Sequence, residues 1–251
     1  MDSQQTIAQV AAWLAEAKSA VAFTGAGIST ESGIPDFRSP GGIWATSTPV
    51  YFDDFLASAS ARYEYWRQKC ISHADFTAAS PNAGHKALAT WESGKRLRGV
   101  ITQNIDGLHQ QGGSTSVLEL HGTARKIGCL DCGEMFDPDP LVAEFLESNE
   151  VPFCDACGGK LKHATVSFGQ QLPTEVLQQA ITWCQQADLI FAIGSSLVVT
   201  PAADLPQITK HAGGRLVIIN RDATPLDPLA DAVIQEPIGA TLAAIDDALR
   251  A

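Results

Sequence analysis

The 251-residue chain predicts an α/β protein: a mostly parallel, doubly wound sheet carrying a smaller inserted lobe. Three observations lead there. Short apolar segments that rarely alternate recur along the chain, as strands buried on both faces should. Helical periodicity lies between several of them, the order that yields parallel strands joined by helical crossovers. Two stretches then break this rhythm, one rich in aromatic residues and one holding four cysteines.

In chain order, Ile7, Val10, Ala11 and Leu14 fall at helical spacing and predict an amphipathic first helix. The run SAVAFT (19–24) predicts a buried strand and leads directly into Gly25-Ala26-Gly27-Ile28-Ser29. A strand running into Gly-x-Gly brings backbone close to a pyrophosphate, where a Cβ would collide with the ligand. Residues 25–38 depart from the dinucleotide fingerprint, because Thr30 replaces the third glycine and no acidic residue ends a clear second strand about twenty positions on. Taken alone, Gly-x-Gly is also what a tight strand-exit turn uses. Further strands are expected over 99–102, 117–120, 188–193, 215–219 and 231–234. Helices are expected over about 81–92 and after a Thr174 cap, where Leu177, Ile181 and Cys184 share one face.

Residues 39–80 contain no obvious strand and carry Trp44, Tyr51, Phe52, Phe55, Tyr63, Tyr65 and Trp66. Residues 123–163 hold the paired cysteines. Both read as insertions forming the small domain, with a helical module (39–80) and a metal module (123–163). The large domain then comprises about 1–38, 81–122 and 164–251. The net charge of −11 argues against a nucleic-acid groove, which needs clustered Lys and Arg. The longest apolar runs are of strand length, too short for a membrane span. Met1 to Gln5 show no basic or apolar leader, so a cytoplasmic protein is expected.

Cys129-x-x-Cys132 and Cys154-x-x-Cys157, 21 residues apart, present two thiolate pairs to one tetrahedral ion, with Gly128, Gly133, Gly158 and Gly159 permitting the turns. Four thiolates leave no open coordination position, so one structural Zn2+ is expected; a redox dithiol pair and an iron–sulfur cluster are the alternatives. A short helix is expected between them over 141–147. Cys70 and Cys184 lie on apolar helix faces and read as buried core thiols.

Ligand sites in open α/β sheets lie beyond the carboxyl ends of strands. Gln103, Asn104 and Asp106 occupy such an end, although Asn104 or Asp106 also suits a helix cap. His121 ends the next strand beside a glycine, at the expected seam of the two lobes, which suits a general base; packing is the alternative. Gly194-Ser195-Ser196 and Asn220-Arg221-Asp222 end two more strands and suit phosphate or ribose contacts, or ordinary turns.

Together these segments resemble the sirtuin family, the NAD-dependent protein-lysine deacylases. The carriers are GAGIS (25–29), SGIPDFRS (32–39), TQNIDGLH (102–109), His121-Gly122, the four cysteines, Phe168-Gly169, GSSLVVTP (194–201) and Ile219-Asn220, in the family's order. The resemblance implies a Rossmann-like large domain, a small domain of helical and zinc-ribbon modules, and NAD+ as co-substrate between them. It implies that Gly25, Ala26, Gly27, Ser29, Thr30, Asp36, Phe37 and Arg38 belong to the cofactor loop. Gln103, Asn104, Ile105 and Asp106 would surround nicotinamide and its ribose, and Gly194, Ser195, Ser196 and Asn220 the adenosine side. His121, with Asn104, would be catalytic. The implied reaction transfers the acyl group of an acyl-lysine protein or peptide to ADP-ribose, releasing nicotinamide and O-acyl-ADP-ribose. Protein ADP-ribosylation and a non-enzymatic NAD sensor are the rival readings. The oligomeric state is open, with a monomer favoured.

Two departures bear on the acyl group. Succinyl- and malonyl-selective relatives carry Tyr-x-x-Arg in the helical module. Laid against that motif, Arg67 matches the arginine and Glu64 takes the tyrosine position, which favours neutral acyl groups such as acetyl. Thr165 and Ser167 replace larger apolar residues in the substrate-binding strand, implying a looser or more polar groove.

Overall fold

The computed structural model describes residues 3–36, 42 and 47–250. Nine strands follow one another among them: β1 (Ala20–Thr24), β2 (Val100–Thr102), β3 (Val117–Glu119), β4 (Gly122–Cys129), β5 (Met135–Phe136), β6 (Leu161–Thr165), β7 (Leu189–Ile193), β8 (Arg215–Ile219) and β9 (Ala232–Ile234). The α-helices are α1 (Ser3–Glu16), α2 (Phe52–Ala57), α3 (Ala59–Ala78), α4 (Ala83–Ser93), α5 (Leu108–Gln111), α6 (Pro138–Ser148), α7 (Thr174–Gln186), α8 (Leu205–His211) and α9 (Ile238–Ala248). Six strands form one parallel sheet in the order β3-β2-β1-β7-β8-β9. The Rossmann-like expectation holds.

Why these strands read as continuous apolar runs is visible in their side chains. Ala20, Ala22, Leu189, Phe191, Val217 and Ile219 enter one core, against α1, α4 and α9. Val21, Phe23, Ile190, Ala192, Leu216 and Ile218 enter the other, with Trp183 and Cys184 of α7 and Leu205 of α8. Alternation is present, but both faces are buried, so polarity does not alternate with it.

Local signals set the helix starts. Asn82 Oδ1 accepts from the Gly84 and His85 N–H groups, while His85 Nδ1 accepts from the Asn82 N–H, closing a capping box on α4. One expectation is corrected at α7: Pro173 is the cap residue and Thr174 is the first helical residue, with no side-chain cap bond. Pro173 fixes φ before the first turn but offers no acceptor for its free N–H groups.

The remaining strands form an antiparallel sheet, β5-β4-β6, with a separate core of Phe55, Tyr65, Trp66, Ile127, Phe145 and Leu161. Trp66 Nε1 donates to the Leu161 carbonyl at 3.1 Å, which pins α3 to β6. β4 begins at Gly122, directly after β3 of the parallel sheet, and β6 runs to Thr165, ahead of α7. The helix expected over 141–147 is longer, Pro138–Ser148, because Pro138 opens it and Asn149, left-handed at φ 60°, ends it.

Candidate active site

The sheet's strand order reverses between β1 and β7, from which the chain winds outward in both directions. Such a switch point opens a crevice beyond the strand carboxyl ends. A cavity of about 1240 Å³ lies there. Gly25, Ala26, Gly27, Ser29, Thr30 and Asp36 line it from the loop after β1; Gln103, Asn104, Ile105 and Asp106 do so after β2. His121 lines it after β3, Gly194, Ser195 and Ser196 after β7, and Asn220 after β8. Phe37 and Arg38 lie outside the described residues.

The glycines have a structural reason of their own. The loops after β1 and β7 cross in direct backbone contact, with the Gly27 N–H on the Gly194 carbonyl at 2.8 Å. A Cβ on Gly27 would stand 2.7 Å from Gly194 Cα, and one on Gly194 only 2.4 Å from the Ile28 nitrogen. Gly194 is also left-handed, at φ +62°. Each glycine is required by the opposing loop before any ligand arrives.

Ser29 centres a buried polar network. Its hydroxyl donates to Asp106 Oδ2 at 2.7 Å and accepts from Asn104 Nδ2 at 3.0 Å. Asp106 is 3% exposed, and its other oxygen accepts the Leu108 N–H at 2.9 Å. Asp106 therefore accepts the first N–H of α5, whose cap residue is Gly107, and also lines the cavity. Gln103 Nε2 donates to Ser195 Oγ at 2.8 Å, tying the ends of β2 and β7.

His121 Nδ1 lies 2.9 Å from the Gln103 carbonyl. A carbonyl only accepts, so Nδ1 carries the proton and Nε2 keeps its lone pair. Burial lowers the imidazole pKa from its ordinary value, partly opposed by the Gln103 bond. The ring is thus neutral near pH 7 and equipped to take a proton at Nε2.

Sequence reasoning missed three supports of this site. His85, its tautomer fixed by the Asn82 N–H, directs Nε2 toward Ser29 Oγ at 3.5 Å. His109 bonds Thr24 Oγ1 at 2.9 Å, and Thr24 donates to Thr102 Oγ1 at 2.8 Å. Arg125 bonds the Asp106 carbonyl at 2.7 Å. The one available signal was a threonine ending each of two otherwise apolar strands, Thr24 and Thr102.

The acyl-selectivity reading is corrected. Arg67 and Glu64 form an exposed ion pair at 2.7 Å, and neither lines the cavity. Tyr65, Gln68 and Lys69 line it instead. Tyr65 packs against β6, its hydroxyl 3.3 Å from Thr165 Oγ1, which sets the helix phase and turns Glu64 outward. Burial pulls the Lys69 amine down to about 8. Thr165, the last residue of β6, and Ser167 beyond it do line the cavity.

In the ribbon, the four predicted sulfurs converge within 4.8 Å of one another, Cys129 to Cys157 at 3.5 Å and Cys132 to Cys154 at 3.7 Å. A tetrahedron with Zn–S bonds of about 2.3 Å has edges of about 3.8 Å. The donor set fits one zinc ion held by thiolates alone. Cys70 is buried in the core against the antiparallel sheet and Cys184 in one core of the parallel sheet.

A model of the Sir2 family matches residues 25–201. The chain is 48% identical over 243 residues to the NAD-dependent protein deacetylase 1 of Bradyrhizobium diazoefficiens, covering 96% of this chain and 95% of that protein. It is 47% identical over 238 residues to the NAD-dependent protein deacetylase of Rhodopseudomonas palustris, covering 94% of each. A solved Sir2 structure with a p53 peptide and NAD+ superposes at a TM-score of 0.87 and 37% identity, covering 95% of this chain and 96% of that one. A Sir2 variant with a deacetylated p53 peptide and 3'-O-acetyl ADP-ribose gives 0.89 at 37% identity, with the same shares.

Proposed function

The chain belongs to the Sir2 family, and on that premise we propose that it is an NAD-dependent protein-lysine deacylase. It takes an acyl-lysine protein or peptide and NAD+ in the cavity beyond the sheet, and releases nicotinamide, O-acyl-ADP-ribose and free lysine. One observation carries this reading: His121 presents an unprotonated Nε2 to the cavity that the loops after β1, β2, β7 and β8 also line.

Bound NAD+ supplies a ribose carbon, activated by its nicotinamide leaving group, to accept the acyl oxygen. The chain's residues then divide the remaining tasks. Backbone around Gly25, Gly27 and Gly194 gives phosphates close access, with Ser195, Ser196 and Asn220 on the adenosine side. Asn104 and Asp106, held by Ser29, orient the nicotinamide ribose; Ile105 and Gln103 complete that wall. His121 accepts a ribose hydroxyl proton at Nε2 while the Gln103 carbonyl holds its other nitrogen. The four cysteines would hold zinc, which would tie the ribbon together beside the apolar core of Ile127, Val142, Phe145 and Leu161 and stay out of the chemistry. The division into a large domain (1–38, 81–122, 164–251) and a small one (39–80, 123–163) belongs to the same proposal, as do a cytoplasmic location and a monomer without nucleic-acid partners.

The test is nicotinamide release from NAD+ with an acetylated peptide, compared between the wild type and His121→Ala. Release that depends on the peptide and on His121 is expected. Because the imidazole pKa lies below its ordinary value, the acid limb of kcat/KM should fall below about pH 6.5. Equal turnover in the two proteins would overturn the role of His121.

A further inference from the structure

Arg125 belongs to β4 of the ribbon sheet and lies outside the catalytic, cofactor-binding and metal sets named above. Resting on the function just proposed, we propose that it is a positioning residue: it fixes the loop 105–107, and with it the nicotinamide side of the site, to both halves of the small lobe.

Three pieces of the chain meet at this guanidinium. Its Nε donates to the Asp106 carbonyl at 2.7 Å, and its Nη2 donates to the Phe76 carbonyl at 3.0 Å, near the end of α3. Phe76 itself lines the cavity and packs with Ile34 and Leu108. Next to Arg125, the Ala124 N–H donates to the Ile105 carbonyl at 2.8 Å. Ribbon, helical module and the loop after β2 are thus joined through one side chain. No carboxylate pairs with Arg125 among the described residues, so its charged donors act wholly on backbone carbonyls. Bonds from an ionised donor are roughly twice as strong as neutral ones.

Gly107 makes room for the arrangement. It is left-handed at φ +70°, and a Cβ there would lie 3.2 Å from Arg125 Cγ. The stem of the arginine therefore lies over the loop. What the loop holds is the Asp106 carboxylate, both of whose oxygens are already engaged, by Ser29 and by the Leu108 N–H. A carboxylate so engaged is placed by its own main chain, and Arg125 is what holds that main chain from the far side. The neighbouring Lys126 points elsewhere and pairs with Asp137 on the surface, which makes it a matched control. A lysine at 125 can reach one of the two carbonyls but lacks the fork to hold both.

The experiment uses the full-length protein as wild type, Arg125→Ala, Arg125→Lys and Lys126→Ala, with KM for NAD+, KM for an acetylated peptide, kcat, bound zinc and thermal midpoint measured for each. Arg125→Ala should raise KM for NAD+ on the order of tenfold, the scale of one lost charged hydrogen bond, with peptide KM within twofold and zinc retained. Arg125→Lys should recover part of the loss, and Lys126→Ala should match the wild type. An unchanged KM for NAD+ in Arg125→Ala overturns the proposal. So does an equal rise in both KM values with lost zinc, which marks a purely structural role. If the wild type releases no nicotinamide with any acyl peptide, the functional reading fails by itself. Calorimetric titration with ADP-ribose and nicotinamide then decides Arg125: weaker binding only in the Arg125 variants supports it, and unchanged binding overturns it.

Discussion

Acidification should destabilise this protein through His109. The imidazole is 1% exposed, and burial, followed by the neighbouring His85, pulls its pKa down to about 3. Its Nε2 serves Thr24, and its Nδ1 has no partner. A proton added at Nδ1 would be a buried cation with no acceptor. In the unfolded chain the same ring titrates near 6.5. Between those values the unfolded state holds a proton that the folded state refuses, so stability rises with pH and falls as pH drops from about 6.5 toward 3. The slope is about 1.4 kcal/mol per pH unit, which reaches about 2 kcal/mol at pH 5. That is a sizeable share of the 5–15 kcal/mol typical of a domain. The assay is urea unfolding at pH 7, 6 and 5, for the wild type and His109→Gln. Glutamine keeps an amide N–H for Thr24 but does not titrate. Carboxylates and zinc thiolates titrate alike in both proteins, so their effect cancels in the difference. The wild type should lose about 2 kcal/mol more than His109→Gln between pH 7 and pH 5. Parallel pH profiles would refute the reasoning.

Four further outcomes follow from the geometry. Gly194→Ala places a methyl 2.4 Å from the Ile28 nitrogen at a left-handed residue; it should cost at least the 1–3 kcal/mol of backbone strain and weaken NAD+ binding, read by urea midpoint and ligand titration. Stripping zinc with a chelator should unfold the ribbon and abolish deacylation while the parallel sheet persists, measured by circular dichroism, elemental analysis and turnover; full activity in metal-free protein would contradict it. Glu64→Gln should leave the acetyl-to-succinyl ratio of kcat/KM unchanged, because Glu64 pairs with Arg67 on the surface. Lys69→Glu, by contrast, should depress succinyl relative to acetyl turnover, because Lys69 lines the cavity.

Legibility in the sequence followed periodicity and punctuation. The parallel strands were readable because both faces are buried, leaving unbroken apolar runs such as 189–193 and 216–219. The cavity was readable because each strand exit carries small or polar residues, among them Gly25, Asn104, His121 and Gly194. The cysteine spacing announced the thiolate cluster directly. The phase of α3 was not readable. Tyr65, Trp66 and Cys70 are its buried residues, and charged and aromatic side chains alternate so closely that only packing on β6 decides which face turns inward. Supports such as His85, His109 and Arg125 were hidden for a related reason. Each acts through a contact distant in sequence, and an isolated histidine or arginine carries no local pattern that says which contact it will find.

The position of β1 has a consequence for synthesis. Its residues leave the ribosome before the other strands of the sheet, yet they occupy its middle, where Ala22 pairs with Val100 on one side and Phe191 on the other. At about 5–20 residues per second, the β7 partner follows roughly 10–30 s after β1. Through that interval Val21 and Phe23, wholly buried when folding is complete, lack Ile190 and Ala192 and have only earlier residues such as Ile101 and Leu120 to pack against. The nascent chain carries one unpaired edge of β1 until β7 emerges, and the crossing of the Gly27 and Gly194 loops can form only after that. The crevice between these loops therefore waits on β7, whatever has folded before it.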